Sequence, residues 1–118
     1  MRMISFRDTP SQIRTKTKTV TRRNNWRHAK IGMQLRGVNR LPTKQNPHPK
    51  TICFVEITAV DLVRVRDIDQ ADCDAEGFPE LDPIEFIALY CTIHKKKPHD
   101  WITRIEFEYI RRPSGLAW

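Results

Sequence analysis

Between Trp101 and Ile110 the chain alternates: Trp101, Thr103, Ile105, Phe107 and Tyr109 fall on one side, and Ile102, Arg104, Glu106, Glu108 and Ile110 on the other. A period of two predicts a β-strand with one packed face and one charged face. Thr51 to Val65 reads as one long strand, or as two joined by a bend near Asp61. Its Ile52-Cys53-Phe54-Val55-Glu56-Ile57 segment is largely apolar on both faces, which suits a strand covered on both sides, as in a barrel. Met33 to Val38 predicts a further short strand. Between the long strands the period changes to that of helices. Asp82-Pro83-Ile84-Glu85 offers an N-cap, a proline at the first helical position and a glutamate at N3, and Phe86, Ile87, Leu89, Tyr90 and Ile93 form the apolar stripe. A shorter helix is expected over Asp67 to Ala75, acidic in its first turns as the helix dipole prefers, with Gly77 placed to end it.

Residues 39–50 contain Pro42, Pro47 and Pro49 among polar residues and predict a long loop. There is no internal repeat. With 118 residues the chain has the length of one domain with a modest core, assigned to 1–110 with a C-terminal tail over 111–118. Cys53, Cys73 and Cys91 are odd in number and widely spaced, so they support neither a disulfide framework nor a zinc knuckle, and reduced, partly buried thiols are expected.

Charge changes this picture. Residues 1–50 hold thirteen Lys and Arg against the single acid Asp8, whereas residues 51–118 hold eight against thirteen acids, giving +12 and −5 within a net +7. A one-sided distribution of this kind attracts phosphates and points to an anionic polymer or nucleotide. Membrane attachment would need an amphipathic helix with a bulky apolar face, and the region around Trp26 is too polar for one. No apolar run reaches the length of a membrane span, and Met1 to Phe6 lacks a signal-peptide core, so a cytoplasmic protein is expected. No cofactor is called for. His94 and His99 flank Lys95-Lys96-Lys97-Pro98 after a helix, but a metal site would need more ligands at shorter reach, and no metal is assigned. The acidic run from Asp67 to Glu85 contains no Lys or Arg and reads as solvated helix surface, with docking of a basic partner as the alternative.

The densest chemistry lies in Lys16-Thr17-Lys18-Thr19-Val20-Thr21-Arg22-Arg23, where four cations and three hydroxyls share eight residues. Cations neutralise phosphate, and a threonine hydroxyl accepts or donates hydrogen bonds or acts as a nucleophile beside a base. Trp26 follows at a spacing that could stack a nucleobase, with packing in the core as the alternative. Lys18-Thr19-Val20-Thr21-Arg22-Arg23 resembles the Lys-Thr-x-Thr-x-Arg signature of the ASCH family, and Glu76-Gly77-Phe78-Pro79 with the helix after it resembles that family's Glu-Gly-Phe-Pro element. Ile102-Thr103-Arg104-Ile105-Glu106-Phe107 is similar to the closing strand of phage and bacterial members. The three segments occur in the family's order and span residues 1 to about 110. Two positions depart: Lys16 stands where a glycine is usual, and Gly32-Met33 where a Gly-Asp pair is common.

The resemblance implies an α+β fold, a small PUA-like β-barrel with two or three short helices. It also implies RNA or modified-nucleotide binding, here through a groove of Lys16, Lys18, Arg22, Arg23 and Trp26. A bacterial branch of the family removes the acetyl group from acetylcytidine, and its site residues correspond to Lys18, Thr21 and Glu76; on that reading Lys18 activates the Thr21 hydroxyl, and Glu76 passes the proton to the leaving amine or pairs with Lys18 and holds it in place. An amidohydrolase, less readily a ribonuclease, is therefore the alternative to a binding module. A protein partner engaged through the charge-polarised surface, as in a small phage protein, is the third reading. In a fully extended segment Lys18 and Thr21 would point to opposite faces, so the trio converges only if the chain turns there.

Overall fold

A computed structural model describes residues 1–112, so the expected tail over 111–118 lies, from residue 113 onward, outside the described residues. Five strands form one mixed sheet: β1 (Arg2–Ser5), β2 (Val20–Arg23), β3 (Gln34–Val38), β4 (Thr51–Arg64) and β5 (Trp101–Ile110). Their spatial order is β1-β3-β4-β5-β2, with β1 parallel to β3 and every other pair antiparallel. The barrel expected from the sequence takes the form of a curled half-barrel, an α+β fold with three helices. The helices are α1 (Pro10–Arg14), α2 (Gln70–Glu76) and α3 (Pro83–His94), with a short 3-10 turn at Val65–Asp67 before α2. No helix among the described residues is long and apolar enough to cross a membrane.

The predicted punctuation of the helices is present. Asp69 caps α2 and Asp82 caps α3, each accepting from the backbone N–H three residues on at 2.8 Å, while Asp72 and Glu85 return the bond to complete the boxes. Gly77 ends α2 at φ 94°, a left-handed conformation that favours glycine. An added Cβ there would also sit 2.7 Å from the Gln12 Cβ of α1, so α1 closes down on this turn.

β4 and β5 form the backbone of the sheet. Their register slips by one residue between Ile57 and Ala59, a bulge at Thr58 that bends the long strand and increases its twist. Two cores result. The larger contains Ile4, Phe6, Leu35, Val55, Ile57, Ile105 and Phe107, and the smaller packs Val65, Ile68, Cys73, Phe86 and Tyr90 against Ile102. The division corrects the simple alternation assigned to β5. Ile102, placed on the charged face, is 2% exposed because α2 and α3 cover that face at its N-terminal end, and Trp101, placed on the packed face, is 53% exposed because the larger core does not reach it.

β1 and α1, with only four and five residues, carry too little periodicity to be read from the pattern. The sequence loop 39–50 does connect β3 to β4, pinned at its base by Asn39 and Lys50, whose backbones bond at 3.1 Å. All three cysteines are free thiols; burial raises the Cys53 thiol to about 11, against a hydrogen bond with the Gly37 backbone.

Phe107 is 3% exposed and sits opposite Ile57 in β4, its ring 5.8 Å from that of Phe6. Phe107→Ala should lower the unfolding free energy by roughly 3–5 kcal/mol, through lost transfer energy and the cavity left behind. Urea denaturation measures it; a loss below about 1 kcal/mol would mean that this face is not the core.

Candidate functional site

The segment before β2 does turn. Thr17 and Lys18 donate their N–H groups to the carbonyl of Gln12 in α1, and Lys16 between the two elements adopts φ 58°. The left-handed turn that glycine would make is thus kept by a lysine, at a strain on the order of 1–2 kcal/mol. Thr19 then locks the chain to both neighbours: its N–H donates to the Ala75 carbonyl at 2.7 Å, and its carbonyl accepts from Phe107 N–H at 3.0 Å. Two tyrosines tie the flanking carbonyls, Tyr109 Oη donating to Lys18 O and Tyr90 Oη to Arg22 O.

This path places Lys18 at the C-terminal end of α2. Its Nζ lies 2.6 Å from Glu76 Oε1 and also donates to the Glu76 backbone carbonyl at 3.3 Å. A helix with no basic residue of its own in the last turn gains its C-terminal positive charge from another element. The other Glu76 oxygen accepts from Arg22 Nη1 at 2.9 Å, and Arg22 Nη2 lies 3.1 Å from Asp72 Oδ1. Asp72 and Glu76 stand four residues apart and so share one helical face. Arg104 of β5 extends the alternation, 3.1 Å from Asp72 and 2.6 Å from Glu106. The chain Lys18, Glu76, Arg22, Asp72, Arg104 and Glu106 runs from the interior to the surface.

The inner members are withdrawn from water: Lys18, Arg22 and Glu76 are each 3–4% exposed. Burial pushes the Lys18 ammonium below the usual lysine value, against the pull of Glu76. Burial also lowers Arg23. Asp72 is held below its ordinary 3.8: burial opposes this, but the Asp69 backbone bond and Arg22 outweigh it.

Lys18, Thr21 and Glu76 line a single pocket of about 70 Å³, joined there by Arg22 and Arg23. Phe6, Phe78, Phe86 and Tyr90 form its walls, while Leu89, Ile93 and His94 of α3 and Asp8 stand at the mouth. Thr21 is 3% exposed, and its Oγ1 accepts from Arg23 Nε at 3.0 Å, which leaves the hydroxyl proton to be given elsewhere. Arg23 also donates to the Ser5 carbonyl at 2.7 Å, bridging the two edge strands across the opening of the half-barrel.

The other two members of the expected groove stand apart. Lys16 is exposed with its ammonium 5.9 Å from the Tyr109 ring centroid, and Trp26 packs beside the larger core and opens onto a different cleft. Tyr90 and His94 are pocket residues that the sequence analysis read as core stripe and helix end. The signal available was their i, i+4 spacing, which puts both on one face; their rings stack at 4.3 Å. Partial burial lowers the His94 pKa below 6.5, so the imidazole is neutral at pH 7 and offers one donor and one acceptor. No group of three or more His, Cys, Asp or Glu among the described residues is arranged to hold a metal.

Sequence comparison gives no matching family model and no matching curated protein. Structure comparison gives neighbours of low identity. Protein EF3133 of Enterococcus faecalis V583, described with the family DUF984, superposes with a TM-score of 0.64 at 13% identity, over 87% of this chain and 67% of that one. The ASCH domain of Lactobacillus crispatus JV V101 gives 0.55 at 15% identity, over 85% and 69%. The hypothetical protein PH0355 gives 0.64 at 12% identity, over 93% and 100%. The likeness is one of fold: the chain has an ASCH-like fold, as its three motifs led us to expect.

The Asp72 shift fixes a pH dependence. Its carboxyl binds protons less readily in the folded protein than in the unfolded chain. Its stabilising contribution is therefore complete above the ordinary value of 3.8 and is lost as pH falls through the lower native value. Asp72→Asn should flatten the fall of stability with acid below about pH 4. Urea titrations over a pH series measure the slope; an unchanged slope would place Asp72 outside the network.

Proposed function

We propose that the protein binds RNA or a free nucleotide by admitting one base, plain or acylated, to the Lys18-Glu76 pocket. The observation that carries this reading is the convergence of Lys18, Thr21 and Glu76 on one pocket with aromatic walls. A nucleobase presents flat apolar faces and an edge of alternating donors and acceptors. The pocket offers the complement: Phe78 and Phe86 for the faces, and an ammonium, a carboxylate, a hydroxyl and a guanidinium for the edge. Its volume suits a ring edge, with ribose and phosphate left outside, and Arg7 and Lys95 adjoin the lining residues Asp8 and His94 in the chain. Those cations would supply the salt-dependent part of the affinity.

A second reading, hydrolysis of an acylated cytidine, is favoured by the buried Lys18-Glu76 pair itself. Burial lowers the Lys18 pKa, so the neutral amine that can act as a base is reached more readily than in a free lysine. Glu76, 2.6 Å from Lys18 Nζ, is placed to relay a proton from it. Lys18 would then take the Thr21 proton as Oγ attacks the acyl carbon, and that proton would pass through Glu76 to the cytosine amine as its bond to the acyl carbon breaks. Water subsequently hydrolyses the acyl-threonine, releasing acetate and restoring Thr21. Arg23, bonded to Thr21 Oγ1, stabilises the oxygen as it loses its proton.

Binding of cytidine 5′-monophosphate and acetate release from acetylcytidine, measured on Lys18→Met, Lys18→Arg, Thr21→Ala and Glu76→Gln, separate the two. A binding module should keep most of its affinity in Lys18→Arg and Thr21→Ala and lose it in Lys18→Met. An amidohydrolase should lose turnover in all four, including Lys18→Arg, because arginine stays protonated and cannot act as a base. A parent protein that neither binds the nucleotide nor releases acetate would overturn the assignment of the pocket.

A further inference from the structure

Trp26 does not belong to the Lys18 pocket, and the cleft it does line has its own character. β2 pairs with β5 so that Arg23 faces Thr103, and β4 pairs with β5 so that Leu62 faces Thr103 and Arg64 faces Trp101. Continuing the chain past Arg23 brings residues 24–27 alongside the start of β5. The result is a cleft of about 460 Å³ with Asn24, Asn25, Trp26 and Arg27 on one wall and Leu62 and Trp101 on the other.

Trp101 is 53% exposed and Leu62 67% exposed, an apolar surface that neither core uses. Trp26 is half-buried, held by the larger core while still lining the cleft. Each indole carries a guanidinium: Arg2 lies 5.7 Å from the Trp26 ring and Arg64 4.5 Å from the Trp101 ring. Exposed Arg27 lines the cleft, and Arg2 and Arg64 lie on its two indoles, against one acid in its wall, Asp61, which is itself 3.8 Å from Arg104.

We propose that this cleft is a second ligand site, separate from the Lys18 pocket, in which single-stranded nucleic acid stacks a base on exposed Trp101, with Trp26 as the inner wall, while Arg2, Arg27 and Arg64 meet its phosphates. Aromatic platforms inside a cationic groove are the general solution for binding single strands, since every base has a stacking face and every nucleotide a phosphate. The exposed carboxamides of Asn24 and Asn25 add donors and acceptors for base edges. A proline-rich peptide also fits an aromatic groove, but it makes no use of three guanidinium groups, and charge favours the nucleic acid.

Fluorescence anisotropy with a labelled oligouridylate of about ten nucleotides at low salt tests the site. Trp101→Ala should weaken binding roughly 5- to 100-fold, as loss of one stacked base does. Trp101 is exposed, so the fold should survive, and Trp101→Phe should restore most of the affinity by restoring a ring. Arg27→Ala should reduce the slope of log affinity against log salt by about one. Asp61→Asn should leave binding equal or tighter. Cytidine 5′-monophosphate binding at the Lys18 pocket should be unchanged in Trp101→Ala, so that either site can fail without the other. Oligouridylate affinity unchanged in Trp101→Ala, equal affinity for duplex RNA, or binding of a proline-rich peptide in place of the oligonucleotide would each overturn the proposal.

Discussion

A carboxylate with almost no access to water, Glu76, constrains the rest of the site. Moving such a charge into the interior costs several kcal/mol unless partners hold both of its oxygens, and here Lys18 holds one and Arg22 the other. Each cation is itself buried and needs its own compensation, which Asp72 gives Arg22 and the α2 carbonyl end gives Lys18. The alternation continues through Arg104 to Glu106 and ends at the surface, where water takes over. Three elements far apart in sequence, the turn before β2, the last turns of α2 and the middle of β5, are therefore registered by charge as well as by packing.

That registration gives the pocket its properties. Lys18 and Thr21 reach one cavity because the chain turns at Lys16 and is pinned at Thr19 before the strand begins. The cavity thus brings buried polar groups and aromatic side chains together. Arg23 serves both the fold and the site: it joins Ser5 across the mouth of the half-barrel and orients the Thr21 hydroxyl. The second cleft is made differently, mainly from side chains that the two cores leave exposed where the end of β4 meets the start of β5.

Local physics made much of this legible in the sequence. The β5 strand, the long β4, the Asp82 capping box and the Gly77 stop follow from periods and caps that act within a few residues, and each is present. The ASCH-like fold followed from three short motifs in order. β1 and α1 escaped notice because they are shorter than the windows in which periodicity can be counted. The exchange of Trp101 and Ile102 escaped because burial of a strand's end depends on which helix covers it, a contact set far along the chain. For the same reason the basic segment looked like one surface. Spacing could not show that Arg22 points inward to two carboxylates while Trp26, four residues on, opens onto another cleft.

The claim that most depends on a single interaction is that Lys18 and Glu76 stabilise the fold as a unit. A double-mutant cycle with Lys18→Met, Glu76→Gln and the double variant, followed by urea unfolding at pH 7, measures it directly. Each single change leaves a buried charge short of its partner, whereas the double change removes both at once. A coupling energy of roughly 1–3 kcal/mol is expected. Additivity within about 0.5 kcal/mol would show that the two residues act independently and would contradict this account of the site.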